Sequence, residues 1–499
     1  MLQFHYIRVS FARPILFLAI GLALVALGAC SSEPDDTPSS SNSGGGNPPI
    51  SGTSSSSDEG TSSIGVSSSS SDGGTSSADG SSSSSGKGTS SAAGGSSSSS
   101  SSNPGSGSVD IPVENAIKIE FKNGSAPAIT NTFSEVKITP TSENVVITIP
   151  DAPDDKEPKY NFVISGTAKN GTVKFHGDAR KSLYLNGANI TNSTGPAINI
   201  QGSKRVNVHL VNGTTNFLTD APGYRCTNVP KGEEQAKGTF FSEGKLEFDG
   251  GNGSLEVKGK CNHAIAVDNS FEIKSGKIIV KESVNDGIHV NDKIEVKGGE
   301  LDLTSVGDAI QSEKKAESQN VPQVSIIGGK VKILTTGNKS HGIASDSGAV
   351  SIGGNATIQI SVSGNGSKGI RARNWVEFID QSTTTIETKG GIYTDEDSDD
   401  GSNAAGIKST EDIFIEGGTL TIKSTGQKAR GISTEKNVDI EAKKTVIVNI
   451  EADDNAIKAT TGILTIKSGT VTLKSKTTKA INAGTYNKKG GTVNITEVK

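Results

Sequence analysis

The feature that most constrains this chain is a small residue followed by a large apolar one, usually isoleucine, which returns at near-regular intervals. The series runs Ala264-Ile265, Gly287-Ile288, Ala309-Ile310, Gly342-Ile343, Gly369-Ile370, Gly406-Ile407, Gly431-Ile432, Ala456-Ile457 and Ala480-Ile481. Successive isoleucines lie 23, 22, 33, 27, 37, 25, 25 and 24 residues apart. Between markers a second unit recurs, at 271–280, 294–303, 413–422 and 464–473. Each copy is a pair of alternating strands broken by a Gly turn, with the apolar side chains on one face. Glycine supplies the positive φ of the tight corner. Three short strands per repeat of this length predict an all-β chain wound as a right-handed parallel β-helix. With earlier coils at Ala197-Ile198 and Phe240-Phe241, the count is about eleven turns, a rod on the order of 50 Å long. The longer intervals predict loops bulging from single coils, and such loops often build a binding face. A propeller or sandwich would need recurring Asn-Gly or Asp-Gly hairpin turns, which do not fall at the right places.

This repetitive body is expected over residues 109–499. Ahead of it, Arg8 and Arg13 precede an uncharged apolar run over 14–29, and Cys30 follows directly. A charged start, a short apolar stretch and small residues at the cut describe an export signal over 1–29. Cys30 after Leu27-Gly28-Ala29 looks like a bacterial lipobox cysteine, the site of lipidation. Ser31 and Ser32 follow it, and the absence of Asp there resembles the outer-membrane sorting pattern. From Cys30 to residue 108 the chain is mostly Ser and Gly, which cannot offset the entropy of ordering. A flexible coil of that length spans on the order of 50 Å on average. The expected arrangement is a domain tethered at the cell surface, touching the membrane only through its lipid.

Stacked coils bring equivalent positions about 4.8 Å apart. Two residues before each marker the column reads His263, Asp286, Asp308, His341, Lys368, Ala405, Arg430, Asn455 and Lys479. Three residues after, it reads Asp268, Asn291, Glu313, Asp346, Arg373, Thr410, Glu435 and Thr460. Asp286 beneath Asp308 would repel unless a cation lies between them or one is protonated. Calcium takes about six to eight oxygen ligands, so Asp286, Asp308, Asp268, Asn291 and Glu313 are the candidate calcium set. The alternative is a solvated acidic strip without an ion. The second half of the same face turns basic, with Lys368, Arg371 and Arg373 on one coil and Lys408, Arg430, Lys458 and Lys479 on later ones. Arg pairs with carboxylate through a two-pronged fork, which suits a polyuronate, although charge columns also simply keep an edge soluble. No His/Cys spacing suits zinc, and no phosphate loop or nucleophile elbow is present.

A further set of motifs carries a resemblance. The run Leu185-Asn186-Gly187-Ala188-Asn189-Ile190-Thr191-Asn192, then Gly195-Pro196-Ala197-Ile198, then Asn216-Phe217-Leu218-Thr219-Asp220 with Tyr224, keeps a distinctive order. Together with the Asp-Gly-Ile and Asp-Ala-Ile coils, it resembles a family of bacterial β-helical carbohydrate-binding proteins, often lipid-anchored, from degraders of plant polysaccharide. The resemblance covers most of 115–499. It implies a pectate-lyase-like fold, calcium binding and non-catalytic binding of plant cell-wall polysaccharide, acidic pectic chains among them. The sequence departs after Asp220, where a loop bearing Cys and Lys replaces the usual acidic one.

Aromatic platforms are scarce. Trp375 is the single tryptophan; beside Arg373 it could stack on a sugar ring or cap a coil. Tyr224 is the other aromatic candidate for ligand contact. With Cys30 lipidated, Cys226 and Cys261 remain. In an exported chain they most simply form one disulfide, the alternative being two separate thiols. The formal net charge of −5 and an extracellular location argue against nucleic acid. Three function classes follow. The favoured one is a monomeric, calcium-assisted, non-catalytic polysaccharide binder. The others are a calcium-dependent lyase using Lys368 or Arg371 as base, and a surface adhesin or structural stalk with protein partners.

Overall fold

A computed structural model describes residues 109–498 apart from 113, 153–155, 231, 314–320 and 396–397. The export signal, Cys30 and the Ser/Gly tether lie outside the described residues. Described residues form strands and turns without a helix, wound as a parallel β-solenoid of about 13 turns.

Each turn contributes one strand to each of three parallel sheets. The first sheet carries the markers. In register along it run Val145, Val173, Ile198, Phe240, Ile265, Ile288, Ile310, Ile343, Ile370, Ile407, Ile432, Ile457 and Ile481. Two turns thus precede the eleven expected from the sequence. Their markers are Val145 and Val173, preceded by Asn144 and Thr172 rather than Gly or Ala. The second sheet stacks Phe248, Ile273, Val296, Ile326 and Ile352. The third stacks Leu255, Ile278, Leu301, Val331 and Ile358. These side chains are buried and fill one continuous core. Burying an isoleucine contributes about 1.5–3 kcal/mol, repeated on every rung.

The small residue before the marker has a steric cause. A Cβ on Gly406 would come 2.3 Å from Ile422 Cγ2, and one on Gly431 would come 2.2 Å from Ile450 Cγ2. In both coils the third-sheet isoleucine packs against the bare backbone of the first-sheet strand. That contact explains why Gly precedes Ile there.

The first turn is covered by antiparallel additions. Ala128–Thr130 pairs with Ala116–Lys122, and Lys137–Thr141 pairs with Asn144–Thr148. The long intervals are loops beside the first sheet. The 220–237 loop and the antiparallel ribbon of Ile392–Asp395 and Ser398–Asn403 both lie between a third-sheet strand and the next first-sheet strand.

Stacked like charges on the second sheet are neutralised locally. Glu247, Glu272 and Glu295 are in register. Lys245 and Lys297 reach Glu272 at 2.5 and 2.7 Å. The first sheet handles its charges differently.

Candidate binding cleft

One wall of a polar cleft is the 220–237 loop. Cys226 on this loop is disulfide-bonded to Cys261, their Cα atoms 6.2 Å apart. The bond holds the loop beside the turn that leads into His263–Val267. Lys237 Nζ reaches Asp268 Oδ1 at 2.7 Å and fixes the loop's other end. Between the loop and the coils from Asn262 to Glu313 lies a cavity of about 800 Å³.

His263, Asp286 and His289 converge on its floor. His263 and Asp286 occupy equivalent places on adjacent coils, and His289 follows the marker Ile288. Asp286 Oδ2 lies 3.0 Å from His289 Nδ1 and 3.1 Å from His263 Nδ1. The two rings stack with centroids 4.1 Å apart and planes 19° apart. All three residues are buried. Gln311 Oε1 also lies 2.8 Å from His289 Nδ1. The amide of Gln311 is held by Asp346 Oδ2 at 2.8 Å, and Asp346 by Arg371.

Charge is arranged around Asp286. Burial alone would raise its carboxyl, but the close imidazoles of His263 and His289 and their charges hold it well below the usual carboxylate range. Burial works against the charged His289, yet Asp286 and Glu313 push it up to about 10. Burial lowers His263 despite the same aspartate, and the neighbouring His289 charge adds to that. Asp308 is pushed up to about 8, first by burial and then by the Asp286 charge. Without a cation between them, Asp286 is thus the ionised member of the stacked pair and Asp308 the one driven toward its neutral form.

The remaining candidates fall at different places. Asn291 and Glu313 line the cleft mouth with Gln311. Asp268 sits beside it, its Oδ1 also accepting from Asn291 Nδ2 at 3.0 Å. The Tyr224 hydroxyl donates to Asp220 Oδ2 at 2.7 Å, which commits its polar end to the loop. Lys368 and Arg430 line a smaller hollow of about 170 Å³ with Lys408 and Ser402. Lys368 Nζ donates to Gly366 O at 2.5 Å and to Ser402 Oγ at 2.6 Å. Arg430 Nε pairs with Asp454 Oδ2 at 3.1 Å. Arg373 is exposed and Trp375 half-buried at the next corner of the same coil.

Sequence reasoning missed His289 and Gln311. Both stand one place after a marker isoleucine, a position that projects from the sheet's outer face. Zinc-type spacing rules look within a few residues, whereas stacking unites donors 23 and 26 residues apart. The column that included His263 held the signal.

A family model described as carbohydrate-binding domain-containing protein matches residues 142–442. That is more than half of the chain, and the chain belongs to this family. A carbohydrate-binding domain-containing protein of Acetivibrio thermocellus is 30% identical over 114 residues, which cover 22% of this chain. The chain spans 39% of that relative's length. A solved structure of the polysaccharide lyase-like protein from C. thermocellum, a gadolinium derivative, is 22% identical. That likeness covers 62% of this chain and 96% of the other, with a TM-score of 0.41.

Proposed function

We propose that the protein binds plant cell-wall polysaccharide without cleaving it, and that acidic, pectate-like chains are its preferred ligand. The observation that carries this reading is a basic strip on the first sheet's outer face. Arg371 and Lys408 are in register, and Lys458 follows two coils on. Burial lowers Lys408 and Lys458, and the Arg430 charge lowers both further, against the opposing pull of Glu435 on Lys408 and of Asp454 on Lys458. Arg371 is paired with Asp346, but Lys408 and Lys458 are crowded by like charge. A polymer bearing a carboxylate on each sugar would relieve that crowding.

Calcium belongs to this reading as a bridge at the cleft mouth. Glu313 and Asn291 offer oxygens there, and the ligand's carboxylates would supply more. The buried floor fits calcium less well, because two imidazole nitrogens crowd Asp286. Lipid attachment at Cys30 and the Ser/Gly tether would hold a monomeric domain out from the outer membrane.

One observation favours the lyase reading. Lys368 is lowered to about 8, by burial first and then by Arg371, Lys408 and Arg430. A lysine poised there could abstract a proton beside a uronate carboxyl. The two readings separate in one experiment. The full-length chain is tested for retention on pectate, in calcium and then in chelator, while ultraviolet absorbance of unsaturated product is followed. Retention without growing absorbance supports binding, and growing absorbance makes the protein a lyase. Absence of retention on pectate, xylan and cellulose in both conditions removes the carbohydrate reading.

A further inference from the structure

We propose that His263, Asp286 and His289 form a site for a divalent transition-metal ion of the zinc class, open to the cleft. Each imidazole nitrogen already stands at the right separation from the carboxylate oxygen. Ligands about 2.1 Å from a small divalent ion lie about 3.0–3.4 Å from one another in octahedral or tetrahedral arrays. Asp286 Oδ2 is 3.0 Å from His289 Nδ1 and 3.1 Å from His263 Nδ1. All three donors lie within 4.8 Å of one another. An ion between them would draw on side-chain rotation rather than on movement of the coils. Gln311 Oε1 is a fourth donor on the same side, 2.8 Å from His289 Nδ1.

His263 is the independent observation. It is 6% exposed, and its Nδ1 has no aligned hydrogen-bond partner although it faces Asp286. Buried nitrogens in folded proteins are nearly always satisfied, and a metal ion would satisfy this one. The outer surroundings fit as well. A metal-bound imidazole commonly presents its other nitrogen to a carboxylate, and His289 Nε2 faces Glu313 Oε2 at 3.6 Å. Two nitrogens with one carboxylate favour zinc, nickel, cobalt or copper, whereas calcium prefers an all-oxygen shell. The cavity leaves the remaining positions to water or to a ligand oxygen. This site stands whether or not the polysaccharide reading holds, since it rests on different atoms from the basic strip.

The test uses the full-length chain with zinc alone and with calcium alone, each by titration calorimetry. One equivalent of zinc is expected to bind, with release of protons, and a large excess of calcium should not displace it. His263→Gln should weaken zinc at least tenfold, while His209→Gln should leave it unchanged. Because a cleft variant could misfold, the unaltered protein is also followed by nitrogen-detected imidazole spectra. The chain has six histidines, and only the His263 and His289 signals should move with zinc. No zinc binding to the folded protein would overturn the proposal. So would unchanged affinity in folded His263→Gln, displacement by equal calcium, or shifts at other histidines only.

Discussion

The backbone amide of Asp308 donates to Asp286 Oδ1 at 2.8 Å, so two stacked acids are joined by a hydrogen bond. The carboxyl of Asp308 turns onward, where Oδ1 accepts from the His341 amide at 2.5 Å. The two carboxyls therefore play unequal parts. Asp286 is the anion that faces the imidazoles, and Asp308 is the one held protonated.

That inequality predicts unequal costs for the same substitution. Asp308→Asn replaces a neutral group by a neutral one and should cost less than about 1 kcal/mol at pH 7. Asp286→Asn strands the charge on His289 and should cost about 3–5 kcal/mol, as breaking a buried pair does. Thermal melts of both variants under metal-free conditions check the order. Equal losses would mean that the charge is shared otherwise.

Lys181 makes a second prediction. It stands in the interior column between Tyr160 and Val206, fully buried, with no hydrogen-bond partner for Nζ. Burial lowers it to about 8, from the ordinary lysine value of 10.5. Below pH 8 both folded and unfolded chains are protonated, and folding bears the full cost of burying the charge. Between 8 and 10.5 the unfolded chain binds more protons, so stability rises with pH. Lys181→Met should stabilise the protein at pH 7 by up to about 3 kcal/mol. The gain should shrink through that window in melts between pH 7 and 11.

The basic strip gives a third. Arg371→Ala with Lys408→Ala should weaken pectate retention at least tenfold and flatten its salt dependence, with melting little changed. Affinity for pectate in the unaltered protein should also fall as the pH rises through about 8, where Lys368 loses its charge. Lys368→Met should remove that part of the pH profile. An unchanged salt slope in the double variant would place the ligand elsewhere.

A fourth concerns the interior contact. Gly406→Val would drive a side chain into Ile422 and should cost at least about 1–3 kcal/mol as overpacking. Ile370→Ala, in contrast, leaves a void at a fully buried rung and should cost about 2–5 kcal/mol. Chemical denaturation of the two variants measures both.

The fold was legible because its chemistry is periodic. Every small-residue and isoleucine pair chosen from the sequence stands in register with the next. The first two turns hid because Val145 and Val173 lack the small neighbour that marks the later coils. The site was legible where it follows the columns: Lys368 lies in register with His341 and with Ala405. The 220–237 loop obeys no period, so nothing in the spacing placed Lys237 against Asp268. His289 escaped because, beyond Asp286 three residues before it, its partners His263 and Gln311 are neighbours in space one turn of chain away.

The marker register also turns distance into a whole number. The rung of Ile288 and the rung of Ile370 are three steps apart, roughly 14 Å at the strand spacing of a sheet. Insertion or deletion of one complete coil between them would move the histidine cluster and the basic strip apart or together by a single step. Every interior contact would have an equivalent afterwards. A ligand that bridges the two places would feel that change as a shift in the length it must span, so a ladder of coil insertions would serve as a ruler for whatever lies along this face.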